Sequence, residues 1–375
     1  MEYPRQITMI QAAAVLISTI IGVGVLPLPL FAVRAAGTGA PLVTFLGILI
    51  ASVGLWTITK LGMRFPNQSI IQYSEEIIGK WFAWLGCVMI IIFFGVLTSL
   101  TAREFGEVVI TTVLKRTPLE VTVIVMLLLA TFSSRNTVTT FAYIHNFYLP
   151  LLVFPVILIV AFSLKNAEVI NLLPIYGNDA SQGNMIKGML TIAGLFQGTF
   201  IYTIVIPAMR RPDRAMQASF WGMFIAGGLY LSIVVATVSV FGQEETKLLL
   251  WPTLELAKTT TLPGNVLERL DAAFLAVWVT AVFTTLFSSY YFTIRAISKL
   301  FRLRDHKMLS LFIMPYLFVL AMIPQNILHM YHIIQWVSRT GLFITIVYPL
   351  LLLVVAMVRK KRRELDDSKA TEQDG

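Results

Sequence analysis

Long apolar runs alternate along the chain with short polar or basic connections, and the runs set the architecture. The first is uncharged from Ile7 to Val33, a span of about 7–33. Others follow at about 36–59, 81–112, 117–134, 139–164, 186–208, 216–242, 268–297, 308–325 and 333–358. Each is long enough to cross hydrocarbon as a helix, which takes roughly 17–25 residues. Whole segments are apolar on every face, unlike the amphipathic helices and alternating strands of a soluble protein. The pattern predicts an all-α integral membrane protein with ten transmembrane helices in one transmembrane domain, residues 1–358.

Composition agrees: the 375 residues are 57% hydrophobic and only 13% charged. The formal charge of +9 invites a nucleic-acid partner, but its distribution excludes one. Basic residues gather at Lys60 and Arg64, at Arg210, Arg211 and Arg214, from Arg295 to Lys307, and from Arg359 to Arg363. These clusters fall at alternate crossings, as the positive-inside rule requires of cytoplasmic loops. An even helix count with a basic tail then places both termini in the cytoplasm. The expected outer loops, 165–185 with Lys165, Glu168 and Asp179 and 243–266 with Glu244, Glu245 and Lys247, are mixed or acidic.

The connections "RFPNQSIIQYSEEIIGKW" and "EETKLLLWPTLELAK" read as short interfacial helices, the second with Trp251 and Pro252 as a membrane-interface cap. The tail, 359–375, turns from basic to polar and is expected to be disordered, with its basic start against anionic headgroups. Cys87 stands alone in an apolar run, which leaves it a packing role and allows no internal disulfide. The first run is too long for a cleavable signal peptide and is expected to stay in the product.

Two runs contain residues that weaken helices. The first carries "IIGVGVLPLP", with Gly22, Gly24, Pro27 and Pro29, and the sixth carries "IAGLFQGTFIYTIVIP", with Gly194, Gly198 and Pro207. Glycine admits backbone conformations closed to other residues, and proline removes an amide donor. An open backbone group facing lipid costs several kcal/mol, so a break persists only where it faces a cavity, a ligand or protein. Ten helices with breaks in the first and sixth predict a 5+5 inverted repeat, with halves at about 7–164 and 186–358. The broken ends would offer amides to a carboxylate, so an amino acid is the natural ligand. Close helix packing is the competing explanation of the glycines.

Further polar residues lie within the runs. Arg103, Glu104 and Glu107 fall in the outer third of the third helix, with Arg103 and Glu107 spaced to pair. They read either as a polar outer vestibule or gate, or as side chains snorkelling to the interface. His145 in the fifth helix either relays a proton or, with Asn146, bonds a neighbouring helix. In the eighth helix Thr284, Ser288 and Tyr291 share a face, turned towards the first break or serving to join helices. No phosphate-binding loop, metal-ligand spacing or nucleophile constellation is present, so neither an enzyme nor a cofactor is expected.

Several segments carry a family resemblance: "TIIGVGVLPLP", "RFPNQSIIQYSEEIIGKW", the Arg103–Glu107 segment followed by "LKRTPLEV", "LLLWPTLEL" and "LERLDAAFLAVWVTAVFTT". Over nearly its whole length the chain resembles the B subunits of spore germination receptors, a branch of the amino acid, polyamine and organocation (APC) transporter superfamily. The resemblance implies the LeuT-like APC fold, residence in the spore inner membrane of an endospore-forming bacterium, and work with an A subunit and a lipoprotein C subunit to sense small germinants, often amino acids. It carries the ligand-binding breaks onto Ile21, Gly22, Val23, Gly24, Val25 and Leu26, and onto Gly194, Gln197, Gly198 and Thr199. Thr98, Thr101, Phe283 and Phe287 would complete the pocket, and Arg103, Glu104, Glu107 and His145 would form a gating or polar network.

One departure bears on mechanism. Some proton-coupled relatives in the superfamily place a lysine in the fifth helix, whereas this chain has none there before Lys165. The expectation is a receptor subunit that binds a germinant and signals to its partners. A free-standing amino acid permease and a structural subunit with an empty pocket stand as alternatives.

Overall fold

The computed structural model describes residues 6–177, 181–259, 270–303 and 305–361, with side chains in the stretch from 270 described from Phe274 onward. The tail beyond Lys361 and the loop position Asp179 lie outside the described residues, as does the part of the outer loop at 260–266. Among the described residues the chain is helical apart from short connections and one isolated bridge between Ile7 and Met209.

The first apolar run is not one helix. It forms α1 (Met9–Ile20) and α2 (Leu28–Ala36), separated by seven residues that include a 3-10 turn at Val23–Val25. Thr8 and Gln11 start α1 with a capping box, and Pro29 lies in the first turn of α2, where the missing amide is no loss. Gly37, at φ 57°, turns the chain into α3 (Ala40–Arg64).

Then come α4 (Ile70–Ile78), α5 (Lys80–Thr112), α6 (Leu119–Ser133) and α7 (Val138–Ser163). After the outer connection lie α8 (Gln182–Gly194), a 3-10 stretch at Gln197–Ile201 and the short α9 (Tyr202–Val205). The chain continues through α10 (Ala215–Leu248), α11 (Pro252–Thr259), α12 (Leu270–Leu300) and α13 (Lys307–Ala321). It closes with α14 (Ile327–Leu342), a π-helical turn and α15 (Tyr348–Val358).

Among the described residues, seven helical segments are long and apolar enough to cross a membrane, and three shorter apolar helices, α1, α6 and α13, accompany them. The core forms around α1, buried from Gln11 to Ile20 and packed against α7, α10 and α12. The lower ends of the two interrupted segments are tied, because Ile7 N–H donates to Ala208 O (3.0 Å) and Arg210 N–H to Ile7 O (2.9 Å).

The two connecting helices each bury one face against the bundle. In α4, Ile70, Tyr73, Ser74 and Ile77 are fully buried beneath the bundle. Trp251, expected at a membrane interface, is 5% exposed and meets Tyr331 edge-on at 5.7 Å. It leads into α11, which packs against α2, and one polar contact explains why.

Candidate functional site

Interrupting α1 frees backbone groups, and the protein satisfies the acceptors with side-chain hydroxyls. Thr284 donates to Ser18 O (2.9 Å) and Thr285 to Thr19 O (3.0 Å). Tyr230 donates to Ile20 O (2.5 Å), and Thr253 of α11 to Val25 O (2.7 Å). Four carbonyls around the break are thereby met by α10, α11 and α12. The Val23 and Gly24 amides, in contrast, bond to no backbone carbonyl among the described residues. The break thus keeps two amide donors that an anion could meet, although the Ile21 and Gly24 carbonyls likewise have no partner among the described residues.

Both amides belong to residues lining a cavity of about 70 Å³ at the level of the two breaks. Gly194, Gln197 and Gly198 line it from the second break, Thr101 and Glu104 from α5, Thr285, Ser288 and Ser289 from α12, and Val337 and Ser338 from α14. Apolar wall comes from Ile20, Phe94, Leu97, Leu100, Leu195, Ile201 and Ile334. One water needs roughly 10–15 Å³ of such volume, so the space holds about five water-sized groups. That suits glycine or alanine and is too small for a nucleoside.

The structure thus brings Val23, Gly24, Thr101, Glu104, Gly194, Gln197 and Gly198 together at the cavity. It does not bring Ile21, Gly22, Val25, Leu26, Thr98, Thr199, Phe283 or Phe287 to its wall. Ile21, Val25 and Leu26 are buried in the core, and Gly22 packs so closely that a Cβ there would lie 1.9 Å from Thr285 Oγ1. Thr199 is likewise buried, in the 3-10 stretch. Thr98 donates to Phe94 O (2.7 Å) and is one residue, about 100°, off the α5 face formed by Leu97, Thr101 and Glu104. Phe283 and Phe287 stack on each other at 5.7 Å, and Phe287 meets Phe141 and His145 at 4.9 and 5.6 Å. Sequence reasoning missed Thr285, Ser289 and Ser338. The hydroxyl run Thr284–Ser289 was the available signal for the first two, and nothing in the sequence marks Ser338.

His145 joins three helices through a directed chain. Its Nδ1–H donates to Phe141 O (2.8 Å), and the Ser288 hydroxyl donates to Nε2 (2.9 Å). Thr19 Oγ1 in turn lies 2.7 Å from Ser288 Oγ, and Ser18 donates to His145 O (3.2 Å). Nε2 also lies 3.3 Å from Thr284 O, and the shorter Nδ1 contact favours the tautomer with the proton on Nδ1. Replacing His145 by Ala removes the imidazole from the Ser288 hydroxyl, which keeps only Thr19 Oγ1 among the described residues, so stability should fall by about 1–3 kcal/mol. A lower thermal midpoint in nanodiscs tests this; an unchanged one would mean the chain of bonds carries no weight.

Arg103 and Glu107 pair at 2.7 and 2.9 Å and are 5% and 6% exposed. They lie in the protein interior, so the snorkelling alternative does not describe them. Glu104 points elsewhere, into the cavity wall. On another side, Phe94, Phe200 and Phe292 pack at 4.5–5.5 Å, closing the cavity where Phe94 is part of its wall. A larger cavity of about 1120 Å³, lined by charged residues including Glu75, Arg295, Lys299 and Asp305, lies beside α4 and the end of α12. Among the described residues no group of three or more His, Cys, Asp or Glu side chains could hold a metal ion.

The fold defines the class first. Structural similarity covers 97% of this chain and 82% of a nucleobase-cation-symport-1 family transporter solved in a closed conformation with bromovinylhydantoin bound, at a TM-score of 0.60 and 13% identity. The chain is an integral membrane protein with a transporter fold. Its family is shown by sequence: residues 6–330 match the spore germination protein family, and the chain belongs to it. It is 26% identical to spore germination protein YndE of Bacillus subtilis, over 95% of this chain and 98% of that one. It is 24% identical to spore germination protein GerLB of Bacillus cereus, over 92% of each.

Proposed function

We propose that the chain is the membrane subunit of a spore germinant receptor, binding a small amino acid at the two interrupted segments and signalling to an A subunit and a lipoprotein C subunit. It acts in the spore inner membrane, with both termini in the cytoplasm. Counting α1 with α2, α8 with α9 and α14 with α15 as single crossings, and adding α3, α5, α6, α7, α10, α12 and α13, supports ten crossings in a 5+5 repeat with halves 7–164 and 186–358. The observation that carries the reading is that the Val23 and Gly24 amides have no backbone acceptor among the described residues and that both residues line a cavity of amino-acid size. A ligand carboxylate would meet those amides, and closure would pass through the hydroxyl bridges to α10, α11 and α12. The signal is limited to the ligand's preference for the closed state.

The transporter fold also favours a second reading, a free-standing amino acid permease. Purified chain in sealed liposomes, given labelled glycine, L-alanine and L-valine with and without ion gradients, separates the two. Saturable binding without accumulation is the expected result. Uptake beyond stoichiometric binding makes the chain a permease.

A further inference from the structure

The cavity holds unmet acceptors as well as unmet donors. Glu104 is 4% exposed, and its Oε1 is buried with no hydrogen-bond partner among the described residues. Gln197 is 3% exposed, and its Oε1 is likewise buried and without a partner. The orientation of that amide is fixed, because its Nε2 donates to Ser338 O at 2.6 Å and the opposite orientation would set two oxygens against each other. Each residue lines the same cavity as Val23 and Gly24.

Among the described residues no cationic side chain answers them. Arg103, next in sequence to Glu104, is held by Glu107, and no Lys, Arg or His lines the cavity. Of the cavity's hydroxyls, Thr285 donates to Thr19 O and Ser289 to Thr285 O and Leu286 O, whereas those of Thr101 and Ser338 are neutral and supply no counter-charge. A buried carboxylate without a counter-charge is strongly disfavoured, as is a buried amide oxygen without a donor. An ammonium group offers three donors and one positive charge, enough to meet both acceptors.

We propose that Glu104 and Gln197 form an ammonium-receiving subsite, so that the cavity requires a primary amine in its ligand. The inference rests on the amino acid reading and adds to it which end of the ligand each wall holds. Val23 and Gly24 take the carboxylate; Glu104 and Gln197 take the amine. A 2-hydroxy acid of the same shape keeps the first contact and loses the second, leaving Glu104 buried and unpaired.

The test is equilibrium binding to the full chain in nanodiscs, using glycine and L-alanine against glycolate and L-lactate. Wild-type chain should bind the amino acids and reject the hydroxy acids. Glu104→Gln should weaken L-alanine binding by about 30-fold or more, the effect of removing one partner of a buried charge pair. L-alanine affinity unchanged in Glu104→Gln, or equal wild-type affinity for L-alanine and L-lactate, overturns the subsite while leaving the amino acid reading intact. Binding of neither amino acid overturns both together. The wild-type comparison requires no variant, so a poorly folding Glu104→Gln chain leaves the test decisive.

Discussion

Gly24→Leu should abolish saturable amino acid binding and the germination response while leaving the protein at its normal level in the membrane. A Cβ on Gly24 would lie 3.3 Å from Leu195 Cδ2 and 3.7 Å from both Leu195 Cβ and the Tyr230 hydroxyl. These contacts are tight but end on a flexible side chain, so Gly24→Ala should fold and bind within a few-fold of wild type. The rest of a leucine side chain then enters the cavity of about 70 Å³ and takes the ligand's place. Overpacking of this kind costs roughly 1–3 kcal/mol, within what a folded chain tolerates.

Gly22→Ala is the contrasting case. Its Cβ would collide with Thr285 Oγ1 and, at 2.6 Å, with Thr285 Cβ, so the bond to Thr19 O must break. That variant reports on the architecture of the break, whereas Gly24→Leu reports on its contents. Spores carrying Gly24→Leu at normal protein level that germinate normally would sink the binding reading and favour a structural subunit with an empty pocket.

The glycines and prolines of "IIGVGVLPLP" made the first interruption legible, since few other patterns place two donor-less residues within an apolar run. Which residues face the cavity was much less legible. Helices in a membrane are apolar towards lipid and core alike, so hydrophobicity does not reveal the buried face. In α5, Trp81 is 84% exposed and Phe94 is buried, yet both are aromatic and apolar. For that reason Thr98 could be mistaken for a cavity residue beside Thr101, and Phe287 for one beside Ser288. The phase of each helix is set by neighbours distant in sequence, such as Ser338 beneath Gly194 and Thr253 above Val25. The role of α11 shows the same limit, because "LLLWPTLEL" has the composition of an interfacial helix and gives no sign of the carbonyl it satisfies.

Arg103→Met should destabilise the protein by about 3–5 kcal/mol, the usual effect of leaving one member of a buried ion pair alone. Glu107 would lose both contacts to the guanidinium, at 2.9 Å from Nε and 2.7 Å from Nη2. Glu107→Leu should be comparably damaging for the mirror reason, since the guanidinium then stays buried with only the Met322 sulfur, 3.9 Å from Nη1, as a described partner. The double variant Arg103→Met with Glu107→Leu should recover most of the loss, because removing both charges also removes their desolvation penalty. Thermal unfolding of the four chains in nanodiscs completes the cycle, with a coupling of several kcal/mol expected. If each single variant costs less than about 1 kcal/mol, as exposed pairs do, water must reach this pair, and this part of α5 belongs to an open vestibule. A large coupling instead makes the pair a fixed strut beside the cavity, leaving Glu104 as the carboxylate on this turn free to meet a ligand.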